Sequence, residues 1–380
     1  MDDQEPSIPA SKPRLRLHKK LLFAGVFLVG ALLVGELVAR VVGPDSRVVY
    51  TFTVQQGLQL DQEKDLLRNP LPDVPYLLAP HANFSQRWPS NPRGYFDEPT
   101  SSLTYPVNEA GFRGDDFPDA RSGAVRIALL GDSFCWGLGV RDQDLFVVRL
   151  GRALQGSGLF DGRFEILNFG LGGYNTKGEV ALFEHVVLPY QPDVAVIWFF
   201  LNDWEYGAQT AVTNRYLIGN NILQKPRRYS RLLDWIATPI DAHLGKQRLV
   251  RTFNKAFEAD STATQVLSAA LRRFAAICQD YGIVPVLAIH PVLIDLDKDY
   301  PFAVVHQKVT ELARRAGIHV VDLFAAFEGY SASKLWVHSL DKHPNEIAHR
   351  LVADYFFERL TPILQANEQT IRRHVAEAAQ

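Results

Sequence analysis

The chain has 380 residues, with 40 Lys and Arg against 42 Asp and Glu, for a net charge of −2. That length suffices for a full α/β core with sequence to spare, and allows two domains. The balanced charge argues against a nucleic-acid binder, whose affinity would need a basic face, so no nucleic-acid partner is expected.

Arg14, Arg16, Lys19 and Lys20 precede an unbroken apolar and glycine stretch over residues 21–35, which residues 37–42 continue past Glu36. At about 1.5 Å per residue, residues 21–42 span about 33 Å, enough to cross a hydrocarbon core. Glu36 and Arg40 fall near the far interface, where their charges can reach headgroups and water. The basic flank, residues 1–20, is then a short cytoplasmic tail, and everything after residue 42 is extracytoplasmic, periplasmic in a Gram-negative cell. An uncleaved single-pass anchor is expected. A cleaved signal peptide is the rival, but no A-x-A site follows the run.

Residues 43–121 are rich in Pro, Gly, Asn and Asp, with little periodicity. Pro70, Pro72, Pro75 and Pro80 disfavour helix and any central strand there, so an irregular stalk laid against the next domain is expected. From Val125 onward, apolar runs alternate with helical patterns. Residues 126–130, 164–168, 194–198, 284–289 and 319–322 read as buried strands. Residues 145–154, 176–188, 262–281, 302–316 and 344–364 read as helices, the last with Pro344 near its first position. This alternation builds a five-stranded, mostly parallel sheet with helices on both faces, and such sheets hold ligands at their strands' carboxyl ends. Residues 203–261 break the rhythm and read either as a lid over the site or as a surface helical excursion. Cys135 and Cys278 lie in different elements without metal or CxxC spacing and read as small buried residues.

Four short blocks carry chemistry. Gly131-Asp132-Ser133-Phe134 closes the first strand, and Asn168-Phe169-Gly170-Leu171-Gly172-Gly173 follows the second. Asn202-Asp203 follows the third, and Asp341-Lys342-His343-Pro344-Asn345 opens the last helix. A serine hydroxyl is a poor nucleophile at its own pKa and needs a base with a group to orient it. Singly, the first block is an ordinary turn and the last an ordinary cap. Together, in this order and each at a strand end or helix start, they compose a nucleophile site.

These blocks resemble those of the SGNH hydrolases, also called GDSL esterases and lipases, in a membrane-anchored bacterial arrangement. The resemblance covers residues 122–366, leaving residues 367–380 as a C-terminal tail. It implies a three-layer α/β/α, flavodoxin-like fold, with Ser133 as nucleophile, His343 as base and Asp341 as its orienting carboxylate. It also implies an oxyanion hole from the Ser133 and Gly173 N–H groups and the Asn202 amide. Two departures stand out. Phe200 occupies the place of a glycine two residues before the asparagine, and one residue separates Asp341 from His343 where the family has two. Cys135, not glycine, follows Ser133 by two, which excludes the G-x-S-x-G elbow of the α/β-hydrolases.

Asp132 and Asp203 are expected to brace their loops, and His290 and His338 to be structural or surface residues. Trp136 and Trp204 flank the nucleophile and the amide, and either stack on a sugar or simply pack. No metal spacing, P-loop or dinucleotide fingerprint is present, so no cofactor or metal is expected; Gly137-Leu138-Gly139 lacks the third glycine. The implied activity is hydrolysis of carboxylic esters through an acyl-enzyme, with a small-molecule ester or a polysaccharide O-acetyl ester as substrate. An O-acetyltransferase on the same triad and a non-catalytic envelope scaffold are the alternatives.

Overall fold

The computed structural model describes residues 16–42, 49–54, 67–68, 71–118, 121–203, 229–258 and 261–378. The described residues fall into two compact units, one within Met1–Pro44 and Asn221–Ile240, the other within Asp45–Asn220 and Asp241–Gln380.

The first unit contains α1 (Leu17–Val42), which is long and apolar enough to cross a membrane. In the second unit, β1 (Val49–Val54), β2 (Leu67–Arg68), β3 (Leu77–Leu78), β4 (Ala82–Arg87) and β5 (Ser102–Pro106) come first. β1, β4 and β5 form an antiparallel sheet in that order, and β2 pairs with β3. Part of the stretch that reads as irregular is therefore a small sheet. Pro72, Pro75 and Pro80 fall between its strands, where no ladder N–H is needed. β4 alternates buried Ala82, Phe84 and Gln86 with more open Asn83, Ser85 and Arg87, the period-two signal of a half-covered strand.

The main sheet uses β6 (Val125–Gly131), β7 (Phe164–Gly170), β8 (Val194–Phe200), β9 (Val284–His290) and β10 (His319–Asp322) in the order β10-β9-β8-β6-β7, all parallel. Each expected strand is present, most of them a residue or two longer. β6 and β8 are buried at every position, as strands covered on both faces must be. The helices are α2 (Ser133–Trp136), α3 (Phe146–Gly156), α4 (Thr176–Leu182), α5 (Arg231–Ala256), α6 (Thr262–Tyr281), α7 (Ala303–Arg315), α8 (Glu346–Ala366) and α9 (Glu368–Ala378). α3 packs with α8, and α4 with α6, giving the two helical layers of an α/β/α sandwich.

Three elements differ from the sequence reading. The helix expected over 176–188 passes from α4 into a π-turn at Phe183–Val187 and a 3-10 turn at Leu188–Tyr190. The last helix starts at Glu346, not Pro344: Pro344 ends β12 (Asp341–Pro344), which pairs with β11 (Trp336–His338), and Asn345 caps the helix by accepting from the Ile347 and Ala348 N–H groups. The cap outweighs the preference of proline for a first helical position, because it satisfies two otherwise unpaired donors. In the C-terminal tail, α9 buries Ile371, and His374 contacts Asp193 at 2.7 Å. Of the 203–261 segment, residues 204–228, including Trp204 and Lys225-Pro226-Arg227-Arg228, lie outside the described residues. The described remainder is mostly α5, whose Leu249 and Phe253 are buried.

Candidate active site

β6 sits between β7 and β8, so the chain leaves it to one side first and returns on the other. In open α/β sheets such a reversal marks the carboxyl-end edge where ligands bind. Ser133 begins α2 directly after β6, Gly173 lies in the loop after β7, and Asn202 lies in the turn after β8. The short α2 rests on bare backbone: a Cβ at Gly170 would meet the Trp136 nitrogen at 2.6 Å. Asp132 caps this turn, its Oδ1 accepting from the Phe134 N–H at 2.8 Å. Phe200 stacks on Phe134 with ring centroids 3.8 Å apart, so the residue in the glycine's place packs against the turn that carries Ser133.

His343 brings Nε2 to 3.0 Å from Ser133 Oγ, and its Nδ1 lies 2.5 Å from Asp341 Oδ1. All three side chains are buried. The one-residue spacing has a geometric reason. Asp341 and His343 belong to β12, where residues two apart share a face. Asp341 Oδ1 also accepts from the His343 backbone N–H at 3.2 Å, which fixes the pair.

The other carboxylate oxygen is held from a part of the chain the sequence left unassigned. Asp341 Oδ2 accepts from Gln86 Nε2 at 2.8 Å and from Trp88 Nε1 at 3.0 Å, both buried. The Tyr105 hydroxyl donates to Gln86 Oε1 at 3.2 Å, and the Gly139 N–H donates to that hydroxyl at 2.7 Å. Arg113 lies 4.4 Å above the Tyr105 ring and donates to the carbonyls of Trp136 (3.0 Å), Gly137 and Val140 (both 2.5 Å), tying down the chain after α2. The sequence signal for these residues was weak: only the alternation of β4 hints that Gln86 points inward. Gln86→Leu keeps the volume and removes one donor to a buried charge, so kcat should fall on the order of ten- to a hundredfold with KM little changed. Steady-state ester turnover measures this, and an unchanged kcat would reduce the contact to packing.

In the loop after β7, Gly173 has φ +77°, a conformation that disfavours a side chain. Its loop passes close to Ser133, since a Cβ at neighbouring Gly172 would lie 3.9 Å from Ser133 Cβ. The Tyr76 hydroxyl donates to the Gly172 carbonyl at 2.6 Å, a second brace from outside the parallel sheet. Asn202 Nδ2 donates to Asp132 Oδ2 at 3.2 Å, while Asp203 Oδ2 accepts from the Phe200 N–H at 2.8 Å. Both aspartates brace loops, as the sequence reading has it.

Electrostatics fit a base that readily holds a proton. Burial disfavours the imidazolium of His343, but the Asp341 charge and hydrogen bond outweigh burial and raise its pKa above 6.5. Burial works against ionised Asp341, and the His343 charge, with the bonds from His343 and Trp88, overcomes it and lowers its pKa. Burial pushes Asp132 up to about 6, against the pull of the Phe134 N–H. Burial first and the Asp132 charge second push Glu179 well up.

The remaining sequence expectations resolve by contact. Burial brings His290 down to about 3, and its Nδ1 meets the Pro291 carbonyl at 2.8 Å, a structural role. His338 is held by Ser90 at 3.0 Å. Trp136 is buried edge-on against Phe84, so it packs instead of offering a face to a sugar. Cys135 and Cys278 are buried thiols. Among the described residues, no group of three or more His, Cys, Asp or Glu side chains is placed to hold a metal ion. A cavity of about 680 Å³ runs along α7, lined by Tyr300, His306, Arg314 and Asp322 among others, and includes none of the residues above.

No curated protein matches the chain. Among solved structures, it is similar to the acetyl xylan esterase AlAXEase, at 18% identity and TM-score 0.39, covering 62% of this chain and 98% of that one. It is similar to a catalytic mutant of an acetylxylan esterase from Geobacillus stearothermophilus, at 17% identity and TM-score 0.39, covering 63% and 95%. A two-domain esterase active on acetylated mannans matches at 15% identity and TM-score 0.41, over 64% of this chain and 50% of its own length. The family model of the GDSL-like lipases and acylhydrolases matches residues 129–351, which take in the Ser133 turn, the Gly173 loop, Asn202 and His343. That span is more than half of the chain, and so the protein belongs to the GDSL-like lipase/acylhydrolase family and is a hydrolase of ester bonds.

Proposed function

We propose that this protein is a membrane-anchored, extracytoplasmic serine esterase that removes acyl groups, acetyl above all, from carbohydrate esters. One observation carries the mechanism: Ser133 Oγ, His343 Nε2 and Nδ1, and Asp341 Oδ1 form a continuous chain at 3.0 and 2.5 Å. His343 takes the hydroxyl proton as Ser133 Oγ attacks the ester carbonyl, and Asp341 stabilises the imidazolium that results. Negative charge on the carbonyl oxygen is met by the Ser133 and Gly173 N–H groups and by the Asn202 amide hydrogen not engaged with Asp132. One such donor is worth about 3 kcal/mol of barrier. His343 returns the proton to the leaving alcohol, and water then releases the acyl group by the reverse route.

In this reading residues 1–20 are cytoplasmic and residues 21–42 span the membrane. Residues 43–121 are an extracytoplasmic extension that also braces the site, residues 122–366 form the catalytic domain, and 367–380 end the chain. The substrate class follows from compartment: an anchored enzyme outside the membrane meets envelope or secreted polysaccharide.

The test uses the full chain in detergent with a fluorophosphonate probe, and then an O-acetylated oligosaccharide beside p-nitrophenyl esters of increasing chain length. Labelling confined to Ser133, with acetate released faster than longer acyl groups, is expected. A folded protein that resists the probe would leave Ser133 without a nucleophilic role. Acetyl transfer to an added oligosaccharide in excess of free acetate would reassign the site to a transferase.

A further inference from the structure

Two charged residues interrupt the apolar run of α1, and both reach the start of α5 within the same compact unit. Glu36 Oε2 accepts from Ser230 Oγ at 2.8 Å and from the Leu232 N–H at 3.0 Å; Oε1 accepts from the Arg231 N–H at 3.0 Å. Arg40 closes the cluster, its Nε 2.8 Å from Glu36 Oε1 and its Nη2 donating to the Tyr229 carbonyl at 3.2 Å. A carboxylate on the first free N–H groups of a helix satisfies donors that have no partner within it and meets the positive end of its dipole. Beside it, Gly35 supplies bare backbone: a Cβ there would come within 2.9 Å of Leu232 Cδ2. The start of α5 is thus fitted to α1 by charge and by shape.

The second observation is what α5 leaves uncovered. Tyr229 is 79% exposed, Trp235 55%, Ile236 53% and Ile240 54%. Ile236 and Ile240 lie four apart, on one face of the helix, with Trp235 beside them. Counting from Leu21, Glu36 lies about 22 Å along a core of about 30 Å, near its outer edge. Interfacial depth is where Trp and Tyr accumulate and where amphipathic helices bury their apolar face.

We propose that the first turns of α5 are a second membrane contact, lying in the outer-leaflet interface of the bilayer that α1 crosses, with Glu36 as the joint between the two helices. This rests on the reading of α1 as an anchor. It also explains why an acid is kept inside an otherwise apolar run: the joint needs an acceptor for three donors of an incoming helix. Lipid is the occupant because the stripe belongs to the same unit as α1, whose own exposed Leu, Phe and Val side chains need the same surroundings.

The experiment places an environment-sensitive fluorophore on the full chain at Leu28→Cys, Ile236→Cys or Ile240→Cys, the native cysteines being buried. Each protein is reconstituted in vesicles of phosphatidylethanolamine and phosphatidylglycerol, with and without nitroxide-bearing lipid. Blue-shifted emission and nitroxide quenching are expected at all three sites, and Glu36→Ala should diminish quenching at 236 and 240 while leaving 28 unchanged. Quenching at 28 with water-like emission at 236 and 240 overturns the second contact and leaves the anchor standing. A blue shift at 236 and 240 without quenching means that a protein surface covers the stripe, and also overturns it. Absence of quenching at 28 refutes the anchor and this proposal with it.

Discussion

Ser133→Ala is expected to lower kcat on an activated ester by about four to six orders of magnitude, with the fold retained. The size follows from the geometry. Ser133 Oγ is 3.0 Å from His343 Nε2, the pair is buried, and with the serine gone His343 has only water to activate. His343→Ala should cost a similar amount, because the two groups act as one unit, and the double variant should lose little more than either alone. Circular dichroism and the thermal transition of each variant check that folding survives. Turnover within tenfold of wild type in either single variant would remove the assignment of both residues.

Asp341→Asn is the second large effect, expected at about 10⁴-fold in kcat. Three losses coincide. The imidazolium forfeits its counter-charge, Nδ1 no longer has an acceptor that enforces one tautomer, and the Gln86 and Trp88 donors face an amide instead of a carboxylate. The pH profile gives an independent readout. As the proposed base, His343 works only when neutral, so activity should fall as pH drops through its pKa. Because Asp341 raises that pKa above 6.5, the acid limb of kcat/KM should lie above 6.5 in wild type. Removing the charge leaves burial, the largest influence and one that disfavours imidazolium, opposed only by the smaller Asp132 charge, so the limb of Asp341→Asn should move to lower pH even as the rate falls. A limb that stays in place would mean that Asp341 does not set the basicity of His343. A rate loss of tenfold or less would mean that another acceptor can orient the ring.

Much of the site was legible because its blocks are local. Gly131-Asp132-Ser133 and Asp341-Lys342-His343 each announce themselves within a few residues, next to an apolar run or a helix start. The parallel sheet was legible for the same reason, since strands buried on both faces appear as short continuous apolar runs such as Ile127–Leu130. The support of Asp341 was not legible. Gln86 and Trp88 lie 255 and 253 residues from it, in a proline-rich stretch with feeble alternation, and no local rule links them to an acidic side chain in the last quarter of the chain. The short Asp–His spacing likewise departed from the family pattern until β12 proved extended, because a period of two exists only once the backbone conformation is fixed.

The sequence by itself determined the alternation of strand and helix, the family and the apolar helix at the N-terminus, and it singled out the serine, histidine, aspartate, glycine and asparagine proposed for the site. Only the tertiary structure decided that the segment before the parallel sheet folds against it and clamps Asp341, that Trp136 packs instead of facing outward, and that Glu36 receives the start of α5. The division has a physical cause. Propensity and hydrophobic period act over a few residues and are written in order along the chain, whereas hydrogen bonds to a buried carboxylate join whichever donors folding brings together.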